Sequence, residues 1–463
     1  MEQSTIGQWF PRSREGLVAI RQTEPGASGA NRASIILGMD AADETCIPRF
    51  AAALSVRPDS ASAAKEVSER ALERLGERTP GFGFLFFTAH HVERSREIVS
   101  MVTRLTGAKH LVSMSAWGVI GGPIEIENAP GISLLLASVP GAQARPFQLR
   151  DLPRVPERPT PDWYREVYAP AMRVEQNHVC TIMFADPYSV PLVRMLPAMS
   201  TAGRAAPVVG GLASSGSAPG QNIIGLNDQI MTSGGIGLSI SGSLGVEGIV
   251  SQGCAPIGPT MLVTKAKGNI ILELSGRRAV DTVRDAVRGL PPKKRAMLTK
   301  GILLGRVINE YKERFGQGDF LIRKVESIEQ ANGAIVSDDF FRVGQTVQLH
   351  VRDAESASAD LAMVLDVQKL QSPPGAGLVM TCIRRGTRLF GEQSHDASAI
   401  SRAFSPAQAG VERAKSGRHI DVGQAGLPLA GAFASGEIGP VGQQSYLHKM
   451  TTSLTLFRNG RPV

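Results

Sequence analysis

The sequence predicts an α/β protein whose mixed, hairpin-rich sheets are flanked by helices and contain repeated β-α-β-turn-β units. Three observations lead to this fold class. The chain of 463 residues is 42% hydrophobic and 20% charged, which is typical of a globular protein with a sizeable core. Short apolar runs alternate with segments of helical periodicity. Three similar glycine-bearing bends recur along the chain.

The first unit combines strands with two helices. Residues 60–75 are predicted to form a helix because apolar residues recur there at helical spacing, at Ala64, Val67, Ala71, Leu72 and Leu75. "HHVERSREIVSMVTRLTG" is predicted to form a second helix that ends at Gly107. The apolar runs "NRASIILGMD", "FGFLFFTA", "KHLVSMS" and "GISLLLASV" are predicted strands.

The same order of elements returns twice. The second unit has "VCTIMFAD", "PYSVPLVRMLPAMST", "APVVGGLASSG" and "GGIGLSIS", and the third has "GLVMTCI", "HDASAISRAF", "GLPLAGAFASG" and "TSLTLF". The bends "SMSAWGVIGG", "VGGLASSGSA" and "AGAFASGEIGP" each follow a short apolar strand. We interpret this as an internal repeat, the alternative being chance similarity in a chain with 50 glycines.

A strand-rich region separates the second and third units. "GVEGIVSQG", "MLVTKAKGN" and "IILELSG" predict three strands in a meander. The helix "RAVDTVRDAVRGL" follows, and four more strands come after it. "DAESASADLAMVLDVQ" is a helix whose first residue, Asp353, is suited to cap it.

Charge and cysteine usage limit the classes of function. The 50 basic and 42 acidic residues give a formal charge of +8 that is spread along the chain, so we expect no nucleic-acid partner. The N-terminus lacks a signal-peptide pattern and the apolar runs are too short to cross a bilayer, which predicts a cytoplasmic protein without membrane association. The cysteines Cys46, Cys180, Cys254 and Cys382 are far apart, so a disulfide framework is not expected.

Motifs for nucleotide binding, hydrolysis and metal binding are missing. The chain has no GxxxxGK[ST], and "GLASSG" is not the GxSxG of a hydrolase. No HExxH or CxxC occurs, and "GEQSHD" is interpreted as a helix-capping cluster in preference to part of a metal site. We therefore expect neither a cofactor nor a metal ion.

Polar and small residues at the ends of predicted strands remain as the candidate ligand-binding site. Ligands of α/β proteins bind at strand ends, between apolar walls and a few polar groups. The candidates are His90, Trp117, Gly118, Asp186, Ser214, Ser215, Gln252, Cys254, Cys382, Arg385, Gly436 and Glu437. Arginines pair with carboxylates and Glu437 can pair with an ammonium group, so a small zwitterion is the natural ligand. The alternative is that these groups, with Arg323 and Arg352, form structural ion pairs with one another.

Several long segments resemble the FIST domain. They include "PVVGGLASSG", "VSQGCAPIGPTMLVTKAKGNIILELSGRRA", "RRGTRLFGEQSHDASAI" and "PLAGAFASGEIGPVG", and the resemblance extends from about Ser34 to Phe457. Residues 1–30 are polar, glycine-bearing and aperiodic, which predicts a disordered or loosely docked arm. The resemblance implies a FIST N-terminal domain at 31–275 and a FIST C-terminal domain at 276–463. It also implies a sensory module that binds a small ligand, with amino acids as the proposed ligands and no established catalytic activity.

One segment departs from the family pattern. Cys382, Ile383, Arg384, Arg385 and Gly386 stand where family members commonly have Cys-Asn-Gly-Arg-Gly. If this turn contacts the ligand, the ligand of this chain differs from that of other members or is bound more weakly.

The resulting expectation is a non-enzymatic sensor of an amino acid or a similar small polar metabolite that signals through a protein partner. Two other classes stay open: an enzyme that uses Cys254 or Cys382 as a thiol nucleophile, and an interaction scaffold without a ligand. The glycines of "PLAGAFASGEIGPVG" have two interpretations as well. They bring backbone N–H groups close to a ligand, or they permit tight packing while Glu437 satisfies buried N–H groups.

Overall fold

A computed structural model describes residues 47–298, 301–329, 331–405 and 426–460. The predicted arm at residues 1–30 and the predicted strand "NRASIILGMD" lie outside these ranges. The described residues form four sheets, of which three are built to one plan and the fourth is inserted between two strands of the third unit.

The first unit contains six strands and two helices. Its strands are β1 (Arg49–Ser55), β2 (Phe82–Thr88), β3 (His110–Ala116), β4 (Gly118–Gly121), β5 (Ile124–Glu127) and β6 (Ile132–Ser138). Its helices are α1 (Ser60–Leu75), which Asp59 caps by accepting from the N–H of Ser62 at 2.8 Å, and α2 (Ser95–Thr106). Gly107 ends α2 with a φ of 61°. The predicted helix starts later than expected because residues 89–94 form a 3₁₀ turn.

The second unit repeats this order. Its strands are β7 (Ala142–Gln148), β8 (His178–Ala185), β9 (Val208–Leu212), β10 (Ile224–Leu226), β11 (Gln229–Met231) and β12 (Gly235–Gly242). Its helices are α3 (Pro161–Trp163), a π-helical turn (Tyr164–Tyr168), α4 (Ala169–Ala171) and α5 (Leu192–Ala202).

The third unit begins with β13 (Leu244–Gln252), after which the inserted sheet intervenes. The insertion contains β14 (Cys254–Lys267), β15 (Ile270–Leu274), β16 (Arg277–Arg278), α6 (Ala279–Arg288), α7 (Pro292–Met297), β17 (Leu303–Val307), β18 (Phe320–Glu329), β19 (Ala334–Ser337) and β20 (Thr346–Arg352). The unit then continues with α8 (Ala354–Lys369), β21 (Pro374–Cys382), α9 (Thr387–Phe390), α10 (His395–Phe404), β22 (Leu429–Ala434), β23 (Glu437–Val441), β24 (Gln444–His448) and β25 (Thr451–Asn459). The meander prediction is partly wrong, because β13 pairs with β25 whereas β14 and β15 pair with each other.

The three units exchange hairpins in a closed cycle. The sheet orders are β1-β6-β2-β3-β10-β11, β24-β23-β9-β8-β12-β7 and β13-β25-β21-β22-β4-β5. Each sheet thus has four strands of its own unit and a hairpin from another one: β4–β5 joins β22, β10–β11 joins β3, and β23–β24 joins β9. The pairs β2–β3, β8–β9 and β21–β22 are parallel and their neighbours antiparallel, which confirms the predicted mixed, repeated α/β architecture.

Alternation along the strands divides the core into layers. Phe84 and Phe86 of β2 pack edge-on against Phe184 of β8, with ring centroids 5.9 and 5.3 Å apart, in a core that all three sheets share. Leu85 and Phe87, the alternate residues of β2, face α1 and α2 in a separate cluster. Each of the three sheets therefore has one face in the common core and the other beneath its own helices.

Candidate functional site

The three bends meet at Ser214. Its hydroxyl accepts from the N–H of Trp117 at 2.9 Å and donates to the carbonyl of Phe433 at 2.5 Å. The third bend closes on the second, because the Ser435 hydroxyl donates to the Ala213 carbonyl at 2.9 Å. A single buried hydroxyl thus connects backbone groups of all three units.

The glycines of these bends lie in close packing contacts. A Cβ on Gly118 would lie 2.6 Å from the Ile126 carbonyl and 2.7 Å from the Phe433 ring. A Cβ on Gly436 would lie 2.9 Å from Leu447 and 3.0 Å from Leu212. All four distances are shorter than ordinary contacts of a Cβ atom, so a side chain at either position would force its neighbours to move. These contacts match the second interpretation of the glycines, in which they permit tight packing.

Asp186, at the end of β8, is enclosed by its own turn. It accepts from the N–H of Tyr188 at 3.2 Å, from the Ser189 hydroxyl at 2.7 Å and from the Asn222 amide at 3.2 Å. The Asn222 carbonyl oxygen in turn accepts from the Ser215 hydroxyl at 3.2 Å. Asp186 is 1% exposed, so its carboxylate is used by the loop that surrounds it.

His90 is separated from the other candidates by its exposure. It lies in the 3₁₀ turn after β2 and its side chain faces solvent. Its neighbour His91 is the buried one, with Nδ1 2.9 Å from the Ser60 hydroxyl.

The remaining candidates gather at the ends of β21 and β22, where Arg385 and Asp396 form a buried ion pair. Arg385 Nε and Nη2 donate to the two oxygens of Asp396 at 2.7 and 2.9 Å, and both side chains are 1% exposed. Burial alone would raise the pKa of Asp396, but the Arg385 guanidinium and hydrogen bonds from His395 and Thr452 outweigh it and hold the pKa well below its usual range. Arg323 is likewise paired, with Asp339 at 2.5 Å. These two arginines follow the structural-pairing alternative.

Glu437 is a buried carboxyl group next to this pair. Its Oε2 accepts from the N–H of Thr451 at 3.2 Å and from the Thr451 hydroxyl at 2.8 Å. Burial raises the pKa of Glu437 to about 8, so the neutral acid predominates at neutral pH. A neutral acid is a poor partner for an ammonium group.

Cys254 and Cys382 lie in one hydrophobic cluster with Phe320 and Leu303, between the inserted sheet and the third unit. Burial raises the pKa of Cys254 to about 12 and also raises that of Cys382. Both thiols are therefore protonated at neutral pH, the opposite of what a nucleophile needs. Gln252 joins the same two layers, because its amide donates to the Phe320 carbonyl at 2.7 Å.

A cavity of 190 Å³ adjoins this cluster on the solvent side. It is lined by Met297, Arg352, Asp353, Ala354, Arg388 and Leu389. From the sequence, Arg352 was expected only as a possible partner in structural ion pairs and Asp353 only as a helix cap, and Arg388 was not among the candidates. Arg388 could have been suspected, because three arginines follow Cys382 within six residues. The contribution of Met297 could not have been suspected from the sequence, because this residue comes from α7 of the insertion.

The three charged side chains that line this cavity differ in the contacts that they make. Asp353 caps α8 by accepting from the N–H of Ser356 at 3.0 Å. Arg388 lies with its guanidinium carbon 4.4 Å from the centre of the Trp117 ring. Arg352 donates to the Arg384 carbonyl at 2.5 Å, and within the described ranges no carboxylate forms an ion pair with it. Burial lowers the pKa of Arg352.

The described residues also bear on metal binding, on helix capping and on membrane-spanning helices. No group of three His, Cys, Asp or Glu side chains is placed to hold a metal ion there. α10 begins at His395 after Ser394, but the Ser394 side chain makes no capping hydrogen bond. Asp396 pairs with Arg385, and His395 bonds Asp396 and Ser358 at 3.0 and 2.8 Å. The predicted start of a helix is confirmed, whereas the predicted side-chain cap is wrong. In the part of the chain that the structure describes, no helix is both long and apolar enough to span a bilayer.

Comparison with protein-family models finds two matches in this chain. Residues 81–277 match the FIST N domain and residues 279–440 match the FIST C domain. The chain belongs to the FIST family. FIST domains are generally described as small-ligand sensory domains of signalling proteins. The two matches meet just before α6, inside the insertion, and the division at residues 275 and 276 stays a prediction.

The FIST protein also has relatives over most of its length. A protein of Mycobacterium tuberculosis is 34% identical over 411 residues, which is 88% of this chain and 99% of the relative. A protein of Mycobacterium bovis is 33% identical over 411 residues, 88% of this chain and 98% of the relative. Both carry the name "uncharacterized protein", so the similarity extends the fold to them without adding a ligand.

Proposed function

We propose that this FIST protein is a sensor of a small carboxylate, such as an amino acid, which binds in the cavity between the inserted sheet and the ends of β21 and β22. The single observation that carries the proposal is the state of Arg352. The buried arginines Arg323 and Arg385 each pair with a carboxylate, whereas Arg352 lines the cavity and forms no ion pair within the described residues. A ligand carboxylate would supply the missing anion through a bidentate contact.

The size and charge of the cavity support a small zwitterion. Its volume of 190 Å³ lies below the ~300 Å³ at which pockets for drug-sized ligands begin. Arg352 and Arg388 provide positive charge for a carboxylate, and Asp353 lies on the same wall for an ammonium group. None of the twelve candidates from the sequence lines this cavity, although Cys254 is the partner of Arg352 in the pairing of β14 with β20.

Ligand binding here has a route to the rest of the protein. Arg388 lies on Trp117, whose N–H is held by Ser214 at the meeting point of the bends. Asp353 begins α8, so a ligand that contacts it acts on a long helix of the third unit. A protein partner that binds this helix would then transmit the signal. The buried free thiols suit a cytoplasmic location, where cysteines stay reduced.

A thermal-shift screen of amino acids and other small carboxylates tests the proposal. A compound present at about 100 times its dissociation constant adds roughly 2.7 kcal/mol to the free energy of unfolding, which gives a clear rise in the melting temperature. The shift should disappear in Arg352→Gln and persist in Arg96→Gln, which changes an exposed arginine on α2. The absence of a shift with every carboxylate, or an equal shift in Arg352→Gln, would overturn the proposal.

A further inference from the structure

A second cavity lies at the opposite end of the parallel strands, between the first and second units. Its volume is 410 Å³, within the range of pockets that hold organic metabolites. It is formed by the first residues of β2, β3 and β7 and by the segment after α4. Its lining is Gly81, Phe82, Lys109, His110, Val139, Ala142, Gln143, Ala144, Arg145, Pro146 and Arg173. This cavity shares no residue with the one at Arg352.

The lining carries positive charge on three sides. Lys109, Arg145 and Arg173 come from three separate segments, and the lining residues include no carboxylate. Arg145 is partly neutralised by Glu175, whose carboxylate lies 2.6 Å from it outside the lining. Lys109 and Arg173 are exposed and keep their charge. Such convergence of cations on a concave surface raises the local concentration of anions.

Arg173 occupies a position that favours glycine. Its φ is 59°, and it ends the helical segment through a pair of backbone bonds, from its own N–H to the Pro170 carbonyl and from the Val174 N–H to the Ala169 carbonyl, both at 2.9 Å. A side chain in this left-handed conformation is strained, and an arginine gives no backbone advantage over glycine there. The presence of arginine in place of glycine therefore suggests that the guanidinium group of Arg173 has a binding role.

His110 supplies a polar group without a partner. Its Nδ1 is buried and has no hydrogen-bond partner among the described residues, although the ring lines the cavity. Phe82, Val139 and Pro146 provide an apolar wall beside these polar groups. Charged and apolar surfaces side by side fit a ligand with an anionic group and an organic body.

We propose that this cavity is a second binding site, for a phosphate ester whose phosphate is held by Lys109, Arg145 and Arg173 and whose organic part packs on Phe82. Arginine forks match phosphate oxygens in geometry and lysine adds a point charge. The ligand is either a free molecule or the headgroup of an anionic lipid, since both present the same phosphate chemistry. The concave shape favours the free molecule.

Calorimetric titration of the full chain with ADP at low ionic strength provides the test, and a second arm measures binding to vesicles of phosphatidylcholine with phosphatidylglycerol. We expect saturable binding of ADP that is at least tenfold weaker in the double variant Lys109→Gln/Arg173→Gln. The double variant Arg96→Gln/Arg104→Gln removes the same charge from the exposed face of α2 and should bind as the wild type does. Binding to vesicles but not to ADP would assign the lipid source.

Arg173→Gly separates binding from folding. Glycine relieves the left-handed strain, so the variant should unfold at the same or a higher temperature and still lose affinity for ADP. No binding in either arm, or equal losses in the two double variants, would overturn the proposal. So would full affinity in Arg173→Gly, which would assign the arginine to the end of the helix alone.

Discussion

The second and third units differ in how they use the polar groups at the ends of their parallel strands. In the second unit, Tyr188 and Ser189 of the turn after β8 and Asn222 of the loop before β10 donate three hydrogen bonds to Asp186 and leave that carboxylate enclosed. In the third unit, the longer loop after β21 pairs Arg385 with Asp396 and leaves Arg352 and Arg388 on an open cavity. The same architecture therefore encloses a carboxylate at one strand end and, at the other, carries two arginines that form no ion pair within the described residues.

The difference comes from the connections more than from the strands. The inserted sheet enters the third unit between β13 and α8, and it brings Arg352 and Met297 against the loop that carries Arg388. The second unit has no such insertion between its first strand and its helix. The comparison teaches that a repeated fold acquires a site where an additional layer covers one strand end.

The largest expected effect concerns the two buried aspartates. Asp396→Asn leaves the fully buried Arg385 without its anion, which should lower the free energy of unfolding by about 3–5 kcal/mol. Asp186→Asn removes charge from a site held by neutral donors and should cost about 1–3 kcal/mol. Denaturant unfolding of both variants measures the difference. Equal losses would break the comparison between the units.

A pH dependence of stability should come from Glu437. Its pKa is about 8 in the folded protein because of burial, against an ordinary value of 4.5, so the folded state binds a proton that the unfolded state releases. The stability from this proton is complete below about pH 4.5 and is lost as the pH rises through 8. Between pH 6.5 and 8 the wild type should lose roughly 2 kcal/mol from this group, at 1.36 kcal/mol per pH unit.

Glu437→Gln should flatten this dependence. Glu125, whose pKa is also raised to about 8 by burial, titrates in the same direction, so the variant should keep about half of the slope. Burial lowers the pKa of His178, His350 and His448 to about 4, so these groups act in the opposite direction where the unfolded state binds their protons, mainly below pH 7. The slopes are therefore compared above pH 7. Urea unfolding at several pH values provides the measurement, and an unchanged slope would contradict the assignment.

A smaller effect is expected at the point where the bends meet. Ser214→Ala removes the acceptor for the Trp117 N–H and the donor for the Phe433 carbonyl, which should cost about 1–2 kcal/mol. Ser217→Ala changes an exposed serine in the same loop and should cost less than about 0.5 kcal/mol. If the two variants are equally stable, Ser214 does not connect the units as described.

Local patterns predicted the repeat and many of its elements. The bounds of α1, the end of α2 at Gly107 and the cap of α8 at Asp353 follow from spacing and from single residues, and the structure confirms them. The three bends were recognised because each joins a short apolar strand to small residues. These patterns of spacing, capping and turns involve residues that are close in sequence, so they can be recognised without knowledge of the tertiary structure.

Long-range pairing could not be predicted in the same way. The hairpin β4–β5 joins β22, roughly 300 residues later, and no local pattern distinguishes that edge from another. β1 was not predicted because "RFAAALS" lacks the alternation of a half-buried strand. The cavity at Arg352 was not predicted for a related reason. Its lining includes residues of α7, β20 and α9, which are distant from one another in sequence.

The direct test of the central claim combines a change in the protein with a change in the ligand. With the strongest amino acid from the thermal-shift screen, calorimetric titration compares the wild type and Arg352→Gln, each with the amino acid and with its carboxamide. If Arg352 binds the carboxylate, the variant should lose at least tenfold in affinity for the amino acid and little for the carboxamide. An equal loss for both ligands, or unchanged affinity in the variant, would contradict the account.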